Sequence, residues 1–322
     1  MKNACIKSLI DLGKNDERII LISVDQPTGF EKELKKVLRD RFIFEPISEA
    51  NVVGMASGLA SNGYIPYVFG HATFNTRRCY EQIALDACLQ KNHIRLIGLG
   101  GGLVNAHLGP THTAIEDISL LRSIPGMTVL VPCDAQEITE LMPQTVELKQ
   151  SIYIRLAQFG EPQYGKKIER NGNIHAKIGK ANVVYVNNKN SKTDVLFISN
   201  GVMTPISIES SMILSNSNIN SKVLNVTTAK PIDTETVCNE VSSSKHVVIV
   251  EEHTLIGGLA SACLENLTDN LGSNNLPPIH RIGLPDKFIH NYGNQKSLLQ
   301  KNDMMPEQIA KRVICIVNKV NK

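Results

Sequence analysis

The 322-residue sequence lacks any apolar run long enough to cross a membrane, which takes about 20 consecutive apolar residues. The first residues, Met1 to Cys5, also lack the apolar segment of a signal peptide. These two absences argue against a membrane protein or a secreted one. We therefore expect a cytoplasmic protein that makes no membrane contact.

Paired cysteines with metal-ligand spacing are absent as well. The seven cysteines are scattered along the chain, and no two of them form a C-x-x-C motif. Such a distribution is typical of cysteines that stay reduced. We expect neither disulfides nor a zinc site.

A strong charge of one sign is the third absence. The formal net charge is +3, and the basic residues are dispersed and do not gather on one stretch. Proteins that bind nucleic acid usually concentrate basic residues on one surface, so we expect no nucleic-acid partner. The 42% hydrophobic and 20% charged content is that of a soluble globular chain long enough for two domains.

Short apolar runs alternate with longer amphipathic ones in both halves of the chain, which is typical of a parallel sheet wrapped by helices. The predicted strands are 19–25, 64–70, 94–100, 127–131, 152–156, 195–199, 222–226 and 247–251. The predicted helices are 49–61, 76–90, 114–123, 134–149, 204–215, 234–242, 257–269 and one from about Pro306. The segment after Gln158 collects turn-forming residues, so we predict two doubly wound α/β domains, 1–158 and 180–322, joined by a linker over 159–179.

One stretch of the first half combines a helix-capping serine with a carboxylate. Ser48 precedes Glu49 and a run of small residues, which predicts a helix that begins at the buried end of a strand-to-helix turn. Buried carboxylates usually have a partner or a chemical role. From these residues alone, Glu49 is equally a helix-capping group and a catalytic acid.

Several motifs follow this stretch in a fixed order. They are Y-V-F-G-H-A-T-F over 67–74, R-C-Y-E-Q-I over 78–83, G-P-T-H over 109–112 and I-P-G-M-T-V-L-V-P over 124–132. Together the motifs resemble the pyrimidine-binding half of transketolases and deoxyxylulose-phosphate synthases. The second half resembles the C-terminal domain that transketolases share with the beta subunits of oxoacid dehydrogenases, so the resemblance covers nearly the whole chain.

This resemblance implies that thiamine diphosphate is the cofactor. In the family a glutamate hydrogen-bonds the ring nitrogen of the cofactor's aminopyrimidine, and the matching residue here is Glu49. The aromatic residue that stacks on the aminopyrimidine matches Phe74. Tyr80 could complete the aromatic wall, although a tyrosine at helical spacing is as often part of the core.

Histidines supply the expected substrate contacts. His112 in the G-P-T-H motif matches the family's substrate-facing histidine, which can donate to a substrate oxygen and relay a proton. His71 and His107 flank the same expected cavity and are weaker candidates. His253 lies in the second half, where we expect a structural or interface role.

A metal-binding motif is missing. Thiamine diphosphate enzymes hold the diphosphate through a divalent cation such as Mg²⁺, bound within a G-D-G segment and by a later asparagine, and the sequence contains no G-D-G. The resemblance therefore implies a split transketolase whose N-terminal partner subunit carries the metal and the diphosphate. We expect a heterotetramer with two copies of each chain, and no activity from this chain alone.

Three positions depart from the family pattern. Leu108 replaces an aspartate that reads a hydroxyl of the sugar donor, and Gly100 stands where transketolases have a phosphate-contacting histidine. The uncharged Gln158 falls near the position where related enzymes have a phosphate-binding arginine. Arg155 could still supply a positive charge to a substrate. We hypothesise that the sugar is unusual, being unphosphorylated or linked to a nucleotide.

Other functions remain open at this point. A beta subunit of a 2-oxoacid dehydrogenase has the same two domains, but its pattern lacks G-P-T-H. A reaction like that of deoxyxylulose-phosphate synthase, with pyruvate as donor, fits the changes at Leu108 and Gly100. A non-catalytic regulatory subunit is the alternative outside enzymes, and the joint presence of Glu49, Phe74 and His112 argues against it.

Overall fold

The computed structural model of the chain describes residues 1–25, 29–157, 175–188 and 192–320. Within these ranges the backbone forms two open sheets of mostly parallel strands, with helices on both faces of each sheet. The two doubly wound α/β units predicted from the sequence pattern are thereby confirmed. No helix in these ranges combines the length and the apolar character that a membrane crossing requires.

The first sheet has seven strands in the order β10-β5-β6-β4-β3-β1-β2, all parallel except β10, which runs antiparallel to β5. The strands are β1 Ile19–Ser23, β2 Phe42–Phe44, β3 Ile65–His71, β4 Arg95–Leu99, β5 Met127–Leu130, β6 Ser151–Leu156 and β10 Thr228–Lys230. Four of the central strands are buried along their whole length, which explains their nearly continuous apolar sequences.

Helices cover both faces of this sheet. They are α1 Lys2–Asn15, α2 Glu31–Leu38, α3 Glu49–Ser61, α4 Ala72–Arg77, α5 Tyr80–Gln82, α6 Asp117–Arg122, α7 Ala135–Leu141 and α8 Gln144–Glu147. Helices α1, α2 and α7 pack on one face through Ile6, Leu34 and Ile138. Helices α3 and α6 pack on the other through Val53 and Leu121.

The second sheet has five strands in the order β12-β11-β8-β9-β7, and only β7 is antiparallel to its neighbour. The strands are β7 Asn182–Val186, β8 Thr193–Ser199, β9 Ser221–Asn225, β11 Ser244–Thr254 and β12 Ile279–Leu284. The helices are α9 Met203–Ser215, α10 Thr234–Ser242, α11 Leu259–Leu271, α12 Gln295–Lys301 and α13 Pro306–Val320.

Three of the predicted helices differ from the structure. The single helix predicted over 76–90 is wrong, because a turn at residues 78 and 79 separates α4 from α5, and α5 continues directly into a π-helix, Ile83–Leu89. The helix predicted over 134–149 is interrupted at Pro143, which has no amide hydrogen to continue the helical hydrogen bonds. The helix predicted over 114–123 begins only at Asp117.

Gln158 lies outside the described residues. So does most of the predicted linker over 159–179, because the described residues resume at 175. The domain boundaries therefore stay a prediction. The short strand β10 lies in the second half of the sequence but pairs with β5 of the first sheet. The two halves are thus joined by backbone hydrogen bonds as well as by side chains.

A buried polar seam also joins the two halves. We use this term for Asp117 and Arg155 of the first half and Glu252 and His253 of the second, each at most 5% exposed. Arg155 donates to the Glu252 carbonyl oxygen at 2.9 Å, and the Ser119 amide donates to His253 Nε2 at 3.3 Å. His253 therefore lies at an interface, as expected from the sequence.

Candidate active site

The candidate site lies where β1, β2, β3 and β4 end, at the carboxyl edge of the first sheet. Parallel strands bring their carboxyl ends to one edge, and ligands of open α/β sheets bind there. The chain leaves β2 at Phe44 and enters α3 at Glu49, so the carboxylate is carried to this edge by the strand-to-helix turn that the sequence predicts. Ile47 in this turn has a φ of 51°, which is rare for a β-branched residue.

Glu49 is 3% exposed and is paired with one cation. Its Oε2 accepts a hydrogen bond from Arg78 Nη1 at 2.7 Å. Ser48 stands at the N-cap position, but its hydroxyl donates to the Glu45 carbonyl oxygen at 3.3 Å and caps no helical amide. The expectation that Ser48 caps the helix through its side chain is wrong.

Arg78 links Glu49 to Phe74. Its guanidinium carbon lies 4.5 Å from the centroid of the Phe74 ring, while one of its nitrogens donates to Glu49. Phe74 and Arg78 are four residues apart, a spacing at which side chains meet in helical backbone. The guanidinium of Arg78 is planar and donates N–H. It therefore makes the hydrogen bond to Glu49 and the contact with the Phe74 ring that the resemblance assigns to an aminopyrimidine.

Three rings meet beside this group, and we call His71, Phe74 and His112 the ring cluster. The centroid of Phe74 lies 5.9 Å from that of His71 and 5.1 Å from that of His112, and the two histidines are 6.0 Å apart. All three pairs are edge-to-face, which is a favourable arrangement for aromatic rings. The structure thus brings together Phe74 and two histidines that are distant in sequence.

His71 is held on both sides of its ring. Asn105 Nδ2 lies 3.2 Å from His71 Nδ1, and Asp25 Oδ2 lies 3.3 Å from His71 Nε2. When Asn105 donates to Nδ1, the proton of a neutral imidazole is on Nε2, facing Asp25. The ring is therefore oriented before any substrate arrives.

Gly100 makes room for Asn105. It adopts a φ of 73°, and a Cβ at this position would lie 2.1 Å from Asn105 Nδ2. Any other residue would displace the amide that orients His71. The histidine that transketolases have at this position is thus excluded here by packing.

His112 is partly buried at the end of a short 3-10 helix, Pro110–His112. Burial lowers the pKa of its imidazole, and the positive potential of His71, His107 and Arg77 lowers that pKa further. Its Nδ1 lies 2.9 Å from the Thr111 hydroxyl oxygen. His112 is therefore held neutral near pH 7.

His107 and Leu108 lie on the outer rim of the site. Both are exposed, Leu108 by 45%. His107 influences His112 through its charge. Leu108 presents an apolar side chain at the mouth, where it can accept no hydrogen bond from a sugar.

Two sequence candidates lie elsewhere. Tyr80 donates to or accepts from Ser123 Oγ at 2.9 Å and lines a separate cavity of about 600 Å³ beside the π-helix, so it does not belong to the ring cluster. Arg155 is 5% exposed and donates to Asp117 Oδ2 at 2.8 Å and to two backbone carbonyl oxygens. We correct both candidates, because Tyr80 faces another cavity and Arg155 is a buried structural cation.

Three residues of the site were missed from the sequence. They are Asp25, Arg78 and Asn105. Asp25 follows the first strand, a position from which a side chain reaches the carboxyl edge of a sheet. Arg78 follows Phe74 by one helical turn. These two positions in the sequence could have identified Asp25 and Arg78 as site residues, whereas nothing in the sequence indicates Asn105.

Within the described residues, no group of three or more histidine, cysteine, aspartate or glutamate side chains is arranged to hold a metal ion. The site described above offers one guanidinium, rings and two carboxylates, of which Glu49 faces Arg78 and Asp25 faces His71. Such a set suits a planar organic group with ring nitrogens better than it suits a hard cation, which prefers several oxygen ligands.

Two family models match the chain. The model of the transketolase pyrimidine-binding domain matches residues 1–158, and that of the transketolase C-terminal domain matches residues 184–309. Among curated proteins, the chain is 29% identical over 321 residues to one subunit of the apulose-4-phosphate transketolase of Phocaeicola vulgatus, covering 98% of each chain. It is 30% identical to the 6-deoxy-6-sulfo-D-fructose transketolase subunit SqwH of a Clostridium species, covering 89% of this chain and 85% of that one.

The chain also resembles longer enzymes and a solved structure. It is 32% identical to 1-deoxy-D-xylulose-5-phosphate synthase of Caldanaerobacter subterraneus, but spans only 47% of that protein. A solved structure described as a split-gene transketolase, an inactive beta4 tetramer, superposes with a TM-score of 0.84 at 27% identity over 98% of this chain. The relatives of this chain's own length named here are thus a split-gene transketolase and transketolase subunits.

Proposed function

Because the chain belongs to the transketolase family, we propose that it is one subunit of a two-chain enzyme that transfers a two-carbon ketol unit between sugars with thiamine diphosphate. The observation that carries the proposal is the convergence of Glu49, Arg78 and Phe74 beside two histidines at one edge of the first sheet. A regulatory subunit that has lost its chemistry would have no need to retain this arrangement.

The residues present fit the aminopyrimidine of the cofactor. Glu49 would hydrogen-bond a ring nitrogen, and Phe74 would stack on the ring, as both now contact the planar guanidinium of Arg78. Among the described residues, Arg78 is the partner of Oε2 and leaves Oε1 available for such a bond. When bound, thiamine diphosphate supplies the centre that accepts electrons during carbon–carbon cleavage.

The histidines would act on the substrate. His112 is neutral near pH 7, so it can take a proton from a sugar hydroxyl and return it to a carbonyl oxygen. His71 is fixed by Asp25 and Asn105, so its ring can orient a substrate oxygen at little cost in entropy.

A partner subunit would hold the diphosphate and the divalent cation. The missing G-D-G motif supports this, as do the names of the relatives, which describe transketolase subunits and a split-gene transketolase. Helix α3 begins at Glu49, and its glycines at 54 and 58 face open space in this chain. A second chain could therefore approach α3 closely, and we infer a heterotetramer with two copies of each chain.

The substrate would be an unusual sugar. Leu108 at the rim cannot accept a hydrogen bond from a sugar hydroxyl, and the relatives are named for apulose-4-phosphate and for 6-deoxy-6-sulfo-D-fructose. Both names support a substrate outside the ordinary pentose phosphates. An unphosphorylated or nucleotide-linked sugar stays a prediction.

The test is reconstitution with the candidate partner, a chain that carries G-D-G, in the presence of thiamine diphosphate and Mg²⁺. We expect cleavage of a ketose donor by the mixture only, and a loss of activity of at least about a hundredfold in Glu49→Gln. Glu45→Gln, which changes a carboxylate four residues earlier in the chain, is the matched control and should stay fully active. A stable complex that binds the cofactor but cleaves no ketose and no oxoacid would contradict the proposal.

A second candidate is decarboxylation of pyruvate followed by addition to an aldehyde. It is favoured by the 32–34% identity to several 1-deoxy-D-xylulose-5-phosphate synthases. The same mixture distinguishes the two reactions, because release of CO₂ from pyruvate without turnover of any ketose would support this second candidate.

A further inference from the structure

The second half of the chain reaches the mouth of the candidate site through Tyr292. This residue lies in the segment between β12 and α12, and its ring packs on Gly109 of the G-P-T-H motif. A Cβ on Gly109 would lie 2.9 Å from Tyr292 Cε1 and 3.0 Å from its hydroxyl oxygen. Gly109 also has a φ of 82°, so both its backbone conformation and the tyrosine require glycine.

The Tyr292 segment is fixed relative to the site. Asn294 caps α12 by accepting from the Ser297 amide at 2.9 Å. The next residue, Gln295, donates to Glu252 Oε1 at 2.8 Å, and the same oxygen accepts from the Leu103 amide at 3.1 Å. The second half therefore contacts both ends of the segment 103–109, which leads into His112.

Tyr292 has an unused polar group. The residue is 68% exposed, and its hydroxyl makes no hydrogen bond within the described parts of the chain. An exposed tyrosine seated on a catalytic loop offers an aromatic face and a neutral group that both donates and accepts hydrogen bonds. Leu108, next to Gly109, offers neither.

We propose that Tyr292 is a specificity-determining residue that contacts the sugar entering this site, through its hydroxyl and its ring face. The proposal rests on the function proposed above. A neutral phenol suits a sugar hydroxyl better than it suits a phosphate, which is usually bound by cations or backbone amides. Tyr292 thus supplies, from the second half, the hydroxyl contact that Leu108 cannot make.

The kinetic test uses the reconstituted two-chain enzyme with Tyr292→Phe and Tyr292→Ala. The donor half-reaction is measured with 6-deoxy-6-sulfo-D-fructose and with D-fructose 6-phosphate, and the full reaction with D-glyceraldehyde and D-glyceraldehyde 3-phosphate as acceptors. We expect Tyr292→Phe to raise the KM of the ketose donor about fivefold to tenfold, with kcat and the KM of the acceptor unchanged within about twofold. Phe288→Ala removes a neighbouring aromatic side chain that is 70% exposed, and it should change neither KM nor kcat.

Two kinetic results would overturn the proposal. The first is an equal loss in both half-reactions and in cofactor binding, because a purely structural role of Tyr292 would have that effect. The second is a weaker association between the two chains with unchanged KM, which would make Tyr292 a docking residue for the partner subunit.

A second readout does not depend on turnover. The chain contains no tryptophan, so Tyr292→Trp and Phe288→Trp each introduce a single fluorescent reporter, with the signal of the wild-type complex subtracted. We expect a saturable emission change in Tyr292→Trp when 6-deoxy-6-sulfo-D-fructose or D-fructose 6-phosphate is added to the complex, and none in Phe288→Trp. If wild type cleaves no donor, the proposed function fails, and the emission still decides whether a sugar reaches Tyr292. An unresponsive Tyr292→Trp in an active complex overturns the inference.

Discussion

The protonation state of His112 determines whether this side chain can accept a proton from a substrate. Burial lowers its pKa first, and the charges of His71, His107 and Arg77 lower it further. Below its pKa the ring is a cation and can no longer act as a base. We therefore predict that activity of the reconstituted enzyme falls on the acid side at a pH below 6.5, the ordinary value for histidine.

The variant His107→Asn tests how much the charge of His107 contributes to the pKa of His112. Removing the positive potential of His107 should raise the pKa of His112 and move the acid limb to higher pH. The pKa is measured directly by NMR titration of the imidazole protons, assigned by comparison with His112→Asn. An unchanged pKa in His107→Asn would contradict the electrostatic contribution that the geometry indicates.

Some residues of the site are easier to predict from the sequence than others. Glu49, Phe74 and His112 belong to short motifs, and the structure places them together. Asn105 carries no local signal, because its role depends on the absence of a side chain at Gly100. The prediction that Arg155 contacts the substrate is wrong because a charge in sequence shows nothing about burial.

Helix α3 is the element on which the proposed partner contact depends. Gly54 and Gly58 lie one turn apart, and a Cβ at either position would meet nothing within 4 Å in this chain. We predict that Gly58→Leu leaves the isolated chain folded but weakens its association with the partner subunit at least about tenfold, because the larger side chain prevents close helix approach.

The measurement is titration calorimetry with the partner, supported by thermal melts of the isolated chain. Gly58→Ala is expected to stabilise the isolated chain by about 0.5–1 kcal/mol through helix propensity. Thr268→Leu places the same bulk on an exposed position of α11 and should leave association unchanged. Equal partner affinity in Gly58→Leu and wild type would show that α3 is not at the interface.

Elements are predictable where the apolar pattern is strong. The helix over 49–61 has the predicted limits, and the central strands agree within two residues except β11, which extends three residues further at each end. The edge strands β2, β7, β10 and β12 are not among the predicted strands, and β2 and β10 have only three residues each. The sequence predicts the π-helix 83–89 as part of an ordinary helix, since it has the same apolar spacing.

For the molecule as a whole, the polar seam and its neighbour Glu251 couple folding to pH. His253 is fully buried, and its Nδ1 donates to the Thr254 carbonyl oxygen at 2.7 Å while Nε2 accepts from the Ser119 amide. Burial lowers the pKa of His253 to about 4. Burial also raises the pKa of Glu251, which accepts hydrogen bonds from the amides of Leu259 and Ala260, to about 7.

The two groups act on stability with opposite signs. Between pH 6.5 and 4, unfolded chains protonate His253 and folded chains do not, so this histidine makes the protein less stable as pH falls. Between pH 7 and 4.5, folded chains keep a proton on Glu251 that unfolded chains release, so the glutamate makes the protein more stable as pH falls. For each group, the difference between its folded and unfolded pKa corresponds to about 3 kcal/mol of unfolding free energy. The two contributions offset each other over the pH range that they share.

We therefore predict that Glu251→Gln loses up to about 3 kcal/mol of unfolding free energy between pH 6.5 and 4 relative to the double variant Glu251→Gln, His253→Gln. The double variant removes both titrations and should follow the pH dependence of wild type in that range. Urea unfolding at a series of pH values measures the difference. Parallel curves for Glu251→Gln and the double variant would mean that His253 is protonated in the folded chain. The Ser119 amide would then have lost its acceptor, and the two halves would be joined differently from the arrangement described here.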